Sequence, residues 1–259
     1  MITHARASRS RSIDFVDDKW VDTAARPFDP PLTPAGVAQG AALGRRLRSL
    51  EGVPPVTKIF VSPLGRTVQT ADAAAAELGI DALHVEPGLV EVLDAEWYSC
   101  WRCADDDARG DASAASLFMT PAHLKEQVSA RVHVGYTPVF TDLDKLQARR
   151  RHFAAASDVT DLVCCCGATQ ITRRNAERWA AMRARLDTTV RALAAAHPDE
   201  SILLVTHGGP IEAVCRELDP RLSKHAAIKY TCLSVFQEDA AAPKGFTCTL
   251  HACAAHANL

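Results

Sequence analysis

One apolar run that ends in a histidine constrains the fold of this chain more than any other segment. Residues 201–205 are Ser-Ile-Leu-Leu-Val, and Thr-His-Gly-Gly-Pro follows at 206–210. Four consecutive apolar residues are typical of a strand buried on both faces, as in a parallel sheet. From Pro210 to Leu218 the apolar residues recur at helical spacing. The pattern places His207 at the carboxyl end of a central strand, beside a helix N-terminus.

Two interpretations of His207 follow from this position. Ligands bind at the carboxyl ends of strands in open α/β sheets, and helix N-termini favour anions. A histidine can equally cap a strand in a purely structural role, since its two nitrogens suit both purposes. The segment alone does not choose between an anion-binding and a structural histidine.

A second segment, at 58–79, also predicts a strand that is followed by a helix. Residues 58–62 have the apolar character of a strand, Pro-Leu-Gly breaks it at 63–65, and a helix is expected from Arg66 to Leu78 with Gly79 as its C-cap. Arg66 would lie in the first helical turn, where a cation opposes the helix dipole, so we expect an anion nearby. Phosphate would suit a guanidinium, which binds it in bidentate fashion. A solvated surface arginine is the alternative.

The remaining pattern alternates helix and strand. Thr33 is the expected N-cap of a helix with Pro34 at its first position, and Asn175 the expected cap of a longer helix. The apolar residues expected to face the core are Val37, Leu43, Leu47 and Leu50 in the first helix, and Trp179, Met182, Leu186, Val190 and Leu193 in the second. Residues 230–236 and 246–251 are expected to form an antiparallel edge pair. We predict an α/β fold of three layers (α/β/α), with a mostly parallel central sheet and an antiparallel edge.

Several short motifs in a consistent order resemble the histidine phosphatase superfamily, which has the phosphoglycerate-mutase-like fold. The similarity extends to its branch of ubiquitin-associated, SH3-containing phosphatases. The motifs are Asp-Phe-Val-Asp-Asp-Lys-Trp at 14–20, Arg-Pro-Phe-Asp-Pro-Pro-Leu-Thr at 26–33, Phe-Val-Ser-Pro at 60–63 with Arg66 and Gln-Thr-Ala at 69–71, Val-Glu-Pro-Gly-Leu-Val-Glu at 85–91, and Val-Thr-His-Gly at 205–208.

The resemblance implies hydrolysis of a phosphomonoester through a phosphohistidine intermediate, without metal or cofactor. By motif, Arg66 would clamp the phosphate, His207 would be the second, charge-stabilising histidine, and Glu91 would protonate the leaving oxygen. A histidine nucleophile divides one difficult displacement into two, and cations stabilise the charge on the equatorial oxygens. The alternative for Glu91 is an ordinary surface carboxylate.

The nucleophile is the point where the sequence departs from the family. The family has Arg-His-Gly after an apolar strand, whereas His4 is preceded by Thr3 and followed by Ala5, and two residues before Thr3 are few for a central strand. Three interpretations stay open. His4 is the nucleophile with a short insertion after it, the true N-terminus is missing, or the chain is a pseudophosphatase that binds phosphoesters without turnover. Arg6 is a candidate phosphate contact or part of a solvated basic tail.

Composition sets the remaining expectations. With 259 residues and 47% hydrophobic residues, the chain can form a single domain over 1–259, with a variable cap at about 97–172. The net charge of −2 gives no reason to expect nucleic-acid or membrane partners. We expect a cytoplasmic protein that acts on a phosphorylated small molecule or phosphoprotein, and a homodimer is compatible with the sequence.

Nine cysteines raise the question of zinc or disulfides. Cys100 and Cys103 have the spacing of metal ligands, but no second pair with structural-zinc spacing follows, and the adjacent cysteines at 164–166 are poorly placed to chelate together. Because the count is odd and no signal peptide is recognisable, we expect reduced thiols and no metal.

Overall fold

The computed structural model shows a six-stranded sheet between two layers of helices, and it confirms the predicted fold class. It describes residues 2–3, 26, 29–91, 118–141, 173–222 and 228–257. The strands are Ile2–Thr3 (β1), Val56–Val61 (β2), Leu83–Val85 (β3), Ser201–Val205 (β4), Leu233–Glu238 (β5) and Phe246–Cys253 (β6). The α-helices are Pro34–Arg48 (α1), Gly65–Leu78 (α2), Pro121–Gln127 (α3), Arg173–Ala196 (α4) and Gly208–Leu218 (α5). Two 3-10 helices span Pro87–Leu89 and Ala255–Ala257.

The strand order is β3-β2-β4-β1-β5-β6. The first four of these run parallel, whereas β5 is antiparallel to β1 and β6 is antiparallel to β5. The predicted parallel sheet and antiparallel edge pair are both confirmed. Because the parallel strands end at the same edge, the loops that follow β2, β3 and β4 are brought together there.

Strand β1 is short but occupies an interior position in the sheet. Ile2 pairs with Leu204 of β4 on one side and with Ser234 of β5 on the other, and Thr3 pairs with Val205. The sequence offered few residues for a central strand of usual length, and the structure forms one of two residues. Partners on both sides allow so short a segment to join the ladder.

Alternation along the strands divides the core into two halves. Ile59, Val61, Leu203 and Val205 face α1 and α2, whereas Phe60 and Leu204 face α4 and α5. Both halves are closed to solvent, as the nearly complete burial of these side chains shows. Helices on both faces explain why β4 is apolar without interruption.

Helices α1 and α2 match most of the sequence pattern, but α1 ends at Arg48, so Leu50, expected on its core face, lies beyond the helix. The Thr33 hydroxyl accepts a hydrogen bond from Gly36 N at 3.0 Å, and Gly79 ends α2 with a φ of 70°. The prediction that Val37 faces the core is wrong, because 44% of its surface is exposed. The buried face of α1 instead contains glycines that let it approach α2 closely, which turns Val37 outward.

Helix α4 carries the expected apolar stripe. Met182, Leu186, Val190 and Leu193 are buried against α5 and the sheet, and Trp179 is partly buried there. The prediction of Asn175 as N-cap is wrong, because the helix already begins at Arg173. Among the described helices, none combines the length and apolarity needed to cross a membrane.

Residues 118–141, a described part of the predicted cap region, pack along the outer edge of β3. Leu83 N donates to Arg131 O and His133 N donates to Leu83 O, both at 2.9 Å, which adds a short parallel bridge to the sheet. Arg131 and Ser129 both bond to the Asp72 carboxylate on α2. The segment thereby covers part of a strand edge that would otherwise be exposed.

Candidate active site

Three loops at the carboxyl edge of the sheet carry the candidate site. The loop after β2 leads into α2 with Arg66, the loop after β4 leads into α5 with His207 as its N-cap, and the 3-10 turn after β3 leads to Glu91. Helices α2 and α5 both begin at this edge, where their N-terminal dipoles favour negative charge. The structure therefore gathers the three described residues of the predicted site at one edge.

Arg66 has an internal anionic partner. Its NH1 lies 3.3 Å from Asp29 Oδ1, while Asp29 Oδ2 accepts a hydrogen bond from Gly65 N at 2.8 Å. The side chain of Asp29 is 2% exposed and that of Arg66 is 11% exposed. The carboxylate thus satisfies the first backbone donor of α2 and offsets the unfavourable cation in its first turn. The predicted anion near Arg66 is present in the fold itself, as Asp29.

His207 is held between Ser62 and Arg66. Its Nε2 lies 2.7 Å from Ser62 Oγ, and its Nδ1 lies 3.4 Å from Arg66 NH2. In the tautomer with its proton on Nε2, the ring donates to Ser62, and its Nδ1 accepts from the guanidinium, which can only donate. Both His207 and Ser62 are buried. The guanidinium is fixed by Asp29 at one nitrogen and directed at His207 with another.

Glu91 approaches the start of α5. A Cβ built on Gly209 would lie 2.8 Å from Glu91 Oε1, so a larger residue here would displace the carboxylate. Glu91 is 8% exposed, which contradicts the alternative of an ordinary surface carboxylate. Its carboxylate lies against the residue two places after His207.

The 3-10 turn before Glu91 is hydrogen-bonded both to α4 and to Thr206. Arg185 of α4 donates hydrogen bonds to Gly88 O and Val90 O, and Thr206 donates to Leu89 O. A Cβ on Gly88 would come within 2.3 Å of Thr189 Oγ1, so the turn packs directly on α4. The position of Glu91 therefore depends on α4 and on the residue before His207.

Three residues without a predicted role also shape this site. Asp29 and Ser62 hold Arg66 and His207 as described, and Arg26 Nε lies 4.0 Å from Asp29 Oδ2. Burial lowers the pKa of Arg26, and the charge of Asp29 opposes that effect. All three lie within the motifs quoted above, but a motif does not say which side chains meet.

Other predicted residues lie outside the part of the chain that the structure describes. They are His4, Arg6, Cys100, Cys103 and the cysteines at 164–166. Four other cysteines, Cys215, Cys232, Cys248 and Cys253, are free thiols. Within the described ranges, no three histidine, cysteine or acidic side chains are grouped as a metal site.

Comparisons with known proteins agree with the fold. The family model described as histidine phosphatase superfamily (branch 1) matches residues 20–117 and 165–248, more than half of the chain. None of the curated proteins matches it in sequence.

Solved structures show the same fold at low sequence identity. Ecdysone phosphate phosphatase from Bombix mori, in complex with tungstate, is 17% identical with a TM-score of 0.53, over 97% of this chain and 92% of that one. YhfR from Bacillus stearothermophilus is 17% identical with a TM-score of 0.51, over 99% and 98%. Phosphoglycerate mutase from Bacillus anthracis is 14% identical with a TM-score of 0.51, over 99% and 94%.

Proposed function

The chain belongs to the histidine phosphatase superfamily, and on that premise we propose that it hydrolyses phosphomonoesters without a metal, through a phosphohistidine. The observation that carries the proposal is the contact between Arg66 and His207. The partly buried guanidinium of Arg66 and the buried imidazole of His207 converge at the N-termini of α2 and α5. Such a cluster stabilises the negative charge of a phosphoryl group during transfer.

The proposed nucleophile is His4. Thr3, the residue before it, pairs with Val205, which stands two places before His207. A nitrogen of His4 would attack phosphorus while the bond from phosphorus to the ester oxygen breaks and Glu91 gives its proton to that oxygen. Water would then attack the phosphohistidine, pass a proton to the Glu91 carboxylate and release inorganic phosphate. Arg66 and His207, with Arg6 as a further candidate, would hold the phosphoryl oxygens.

The proposal extends to the branch of the superfamily, the class of substrate and the location of the protein. The motifs at 14–20, 26–33 and 85–91 favour the branch that contains the ubiquitin-associated, SH3-containing phosphatases. We propose a phosphorylated small molecule or a phosphoprotein as substrate and the cytoplasm as location. A phosphatase for ecdysone phosphate shares the fold, but at 17% identity its substrate does not transfer to this chain.

A second candidate function is phosphoester binding without turnover. Its support is the sequence around residue 4, where Thr3 and Ala5 stand in place of the arginine and glycine that the family has around the nucleophile. A phosphate pocket made of Arg66 and His207 would persist in such a protein, because neither residue depends on the identity of residue 4.

Measurements of hydrolysis and of orthovanadate binding on the same variants distinguish phosphatase activity from phosphoester binding without turnover. Under the phosphatase proposal the protein hydrolyses p-nitrophenyl phosphate, and His4→Ala abolishes turnover but retains orthovanadate binding in calorimetry. Arg66→Ala weakens that binding by roughly 10²-fold, as expected for loss of a charged contact to the oxyanion.

Arg131→Ala is the matched control, because it removes an arginine paired with an aspartate (Asp72, 2.8 Å) at the β3 edge instead of the site. It should leave vanadate binding unchanged. Binding without hydrolysis would favour the second candidate, and full binding by Arg66→Ala would refute the pocket itself.

A further inference from the structure

Glu86, the first acid of the motif at 85–91, is a fully buried carboxylate with four hydrogen-bond donors around it. Its Oε1 accepts from Gly88 N at 3.0 Å and from Phe140 N at 3.2 Å. Its Oε2 accepts from Tyr136 Oη and from Val139 N, both at 2.9 Å. Four donors occupy about all the acceptor sites that a carboxylate offers.

This arrangement excludes Glu86 as the proton donor and leaves that role to Glu91. Three of the four donors are backbone N–H groups, which cannot turn around to accept a proton from the acid. Burial raises the pKa of Tyr136, and the charge of Glu86 raises it further, so the phenol stays a donor. Glu86 therefore acts as a hydrogen-bond acceptor through both of its oxygens.

The bonds of Glu86 join two parts of the chain. One part is the turn Pro87–Val90, which leads directly to Glu91 and is also bound by Arg185 and Thr206. The other is the segment 136–140, which belongs to the region between β3 and α4. Glu86 is the anchor through which this segment is tied to the turn.

We propose that Glu86 is a positioning residue for Glu91, a role that rests on the proposed phosphatase function. Its carboxylate fixes the backbone of the turn relative to segment 136–140, and that backbone sets how far the Glu91 carboxyl extends beside Gly209. Loss of the anchor would leave Arg66 and His207 in place but move the acid from the ester oxygen.

A misplaced proton donor lowers activity only on esters whose leaving group needs a proton. General destabilisation of the protein lowers activity on all esters. p-Nitrophenolate is a stable anion that leaves without a proton, whereas benzyl alkoxide needs one as the bond to phosphorus breaks. The two phosphate esters are similar in size and both carry one aromatic ring. The ratio of their kcat/KM values therefore reports on proton donation, because kcat/KM contains no step after the phosphohistidine has formed and binding of the two esters is similar.

The test compares Glu86→Gln with the parent chain on both esters. The amide keeps one oxygen for two of the donors but turns an NH2 group toward the other two, so part of the anchor is lost. We expect kcat/KM for benzyl phosphate to fall about 10²-fold and kcat/KM for p-nitrophenyl phosphate to change by less than about threefold. Glu91→Gln should give the same selective loss, and the double variant should add little to it.

Asp219→Asn is the matched control, since Asp219 is another buried carboxylate that binds an arginine and a backbone N–H far from the site. It should not alter the ratio of the activities on the two esters.

If Glu86→Gln does not fold, Tyr136→Phe removes a single donor and should produce a smaller loss of the same selectivity. An equal loss on both esters, or additive effects of Glu86→Gln and Glu91→Gln, would overturn the positioning role alone. A parent chain that hydrolyses neither ester would overturn this role and the phosphatase function together.

Discussion

At the scale of single residues, the site is defined by what each ionisable group already contacts. Arg66 is tethered by Asp29, His207 is held by Ser62, and Glu86 is saturated by four donors. These contacts orient side chains before any ligand arrives, which lowers the cost of assembling a charged transition state. Preorganisation of this kind explains why buried polar groups are acceptable at this edge of the sheet.

Gly209→Ala tests the placement of Glu91 with a single methyl group. The new Cβ would lie 2.8 Å from Glu91 Oε1 and 3.2 Å from Trp179 Cη2, so the end of a flexible side chain must move. Because alanine also favours the helix by up to about 1 kcal/mol, we expect little change in the melting temperature. Hydrolysis of benzyl phosphate should nevertheless fall by at least about tenfold. Unchanged turnover would show that Glu91 does not act from this position.

At the scale of secondary-structure elements, close approach of α1 and α2 sets the geometry of one layer. Gly40 and Gly44 of α1 face α2, and a Cβ on Gly44 would lie 2.7 Å from both Ala74 O and Glu77 Cβ. Arg45 pairs with Glu77 across the same contact at 2.7 Å. The glycines thus bring together two helices, of which α2 carries Arg66.

Gly44→Ala should therefore destabilise the fold in spite of its better helix propensity. The clash is with the backbone of α2, which can move only with the helix, and overpacking of this kind costs about 1–3 kcal/mol. Gly40→Ala, whose Cβ would lie 3.0 Å from Ala73 Cβ, should cost less. Urea unfolding of both variants measures the difference. A Gly44→Ala protein more stable than the parent would contradict the tight contact.

The contact between the end of α5 and β6 depends on the Asp219 carboxylate. Arg221 binds this carboxylate, Cys248 N donates to it at 3.1 Å, and together they hold the pKa of Asp219 well below its usual range. A carboxyl with a lowered pKa in the folded state stabilises the protein above its unfolded pKa, near 3.9, and this contribution disappears as the pH falls below that value.

Asp219→Asn should accordingly lower the free energy of unfolding at pH 7, and the deficit should shrink as the pH falls from about 5 toward 2. Chemical denaturation of parent and variant at each pH measures it. A deficit that is constant across this range would assign the effect to packing instead of charge.

At the scale of the whole molecule, the sheet divides the core into two halves that are packed by different helices. The half under α4 and α5 includes two buried thiols, Cys215 and Cys232. Burial raises the pKa of each of them to about 12, so the reactive thiolate is scarce at neutral pH.

These thiols should report global unfolding. In buffer at pH 7, N-ethylmaleimide should leave Cys215 and Cys232 unlabelled, and labelling should rise with urea at the midpoint seen by far-UV circular dichroism. Mass spectrometry of the digested protein locates the labels, with Cys253, which is partly exposed, as the internal control. Rapid labelling of Cys215 in buffer would show that this half of the core opens locally.

The sequence by itself determined the elements and the residue types of the site. Uninterrupted apolar runs predicted buried parallel strands, and Thr33 and Gly79 marked helix ends. The motifs that contain Arg66, Glu91 and His207 resemble those of a single family. These features depend on local backbone preferences and on short-range periodicity, which neighbouring residues fully specify. Val37 and Asn175 were misassigned because helix orientation and helix starts depend on packing partners outside the local window.

Only the tertiary structure decided which groups meet. Asp29 reaches Arg66 across 37 positions, Ser62 reaches His207 across 145, and Glu86 reaches Tyr136 across 50. No local pattern encodes such distances, because they follow from strand order and register, which bring the ends of β2, β3 and β4 to one edge. The motif at 85–91 contains two acids, and only the structure shows how their surroundings differ: Glu86 accepts four hydrogen bonds, whereas Glu91 lies beside Gly209.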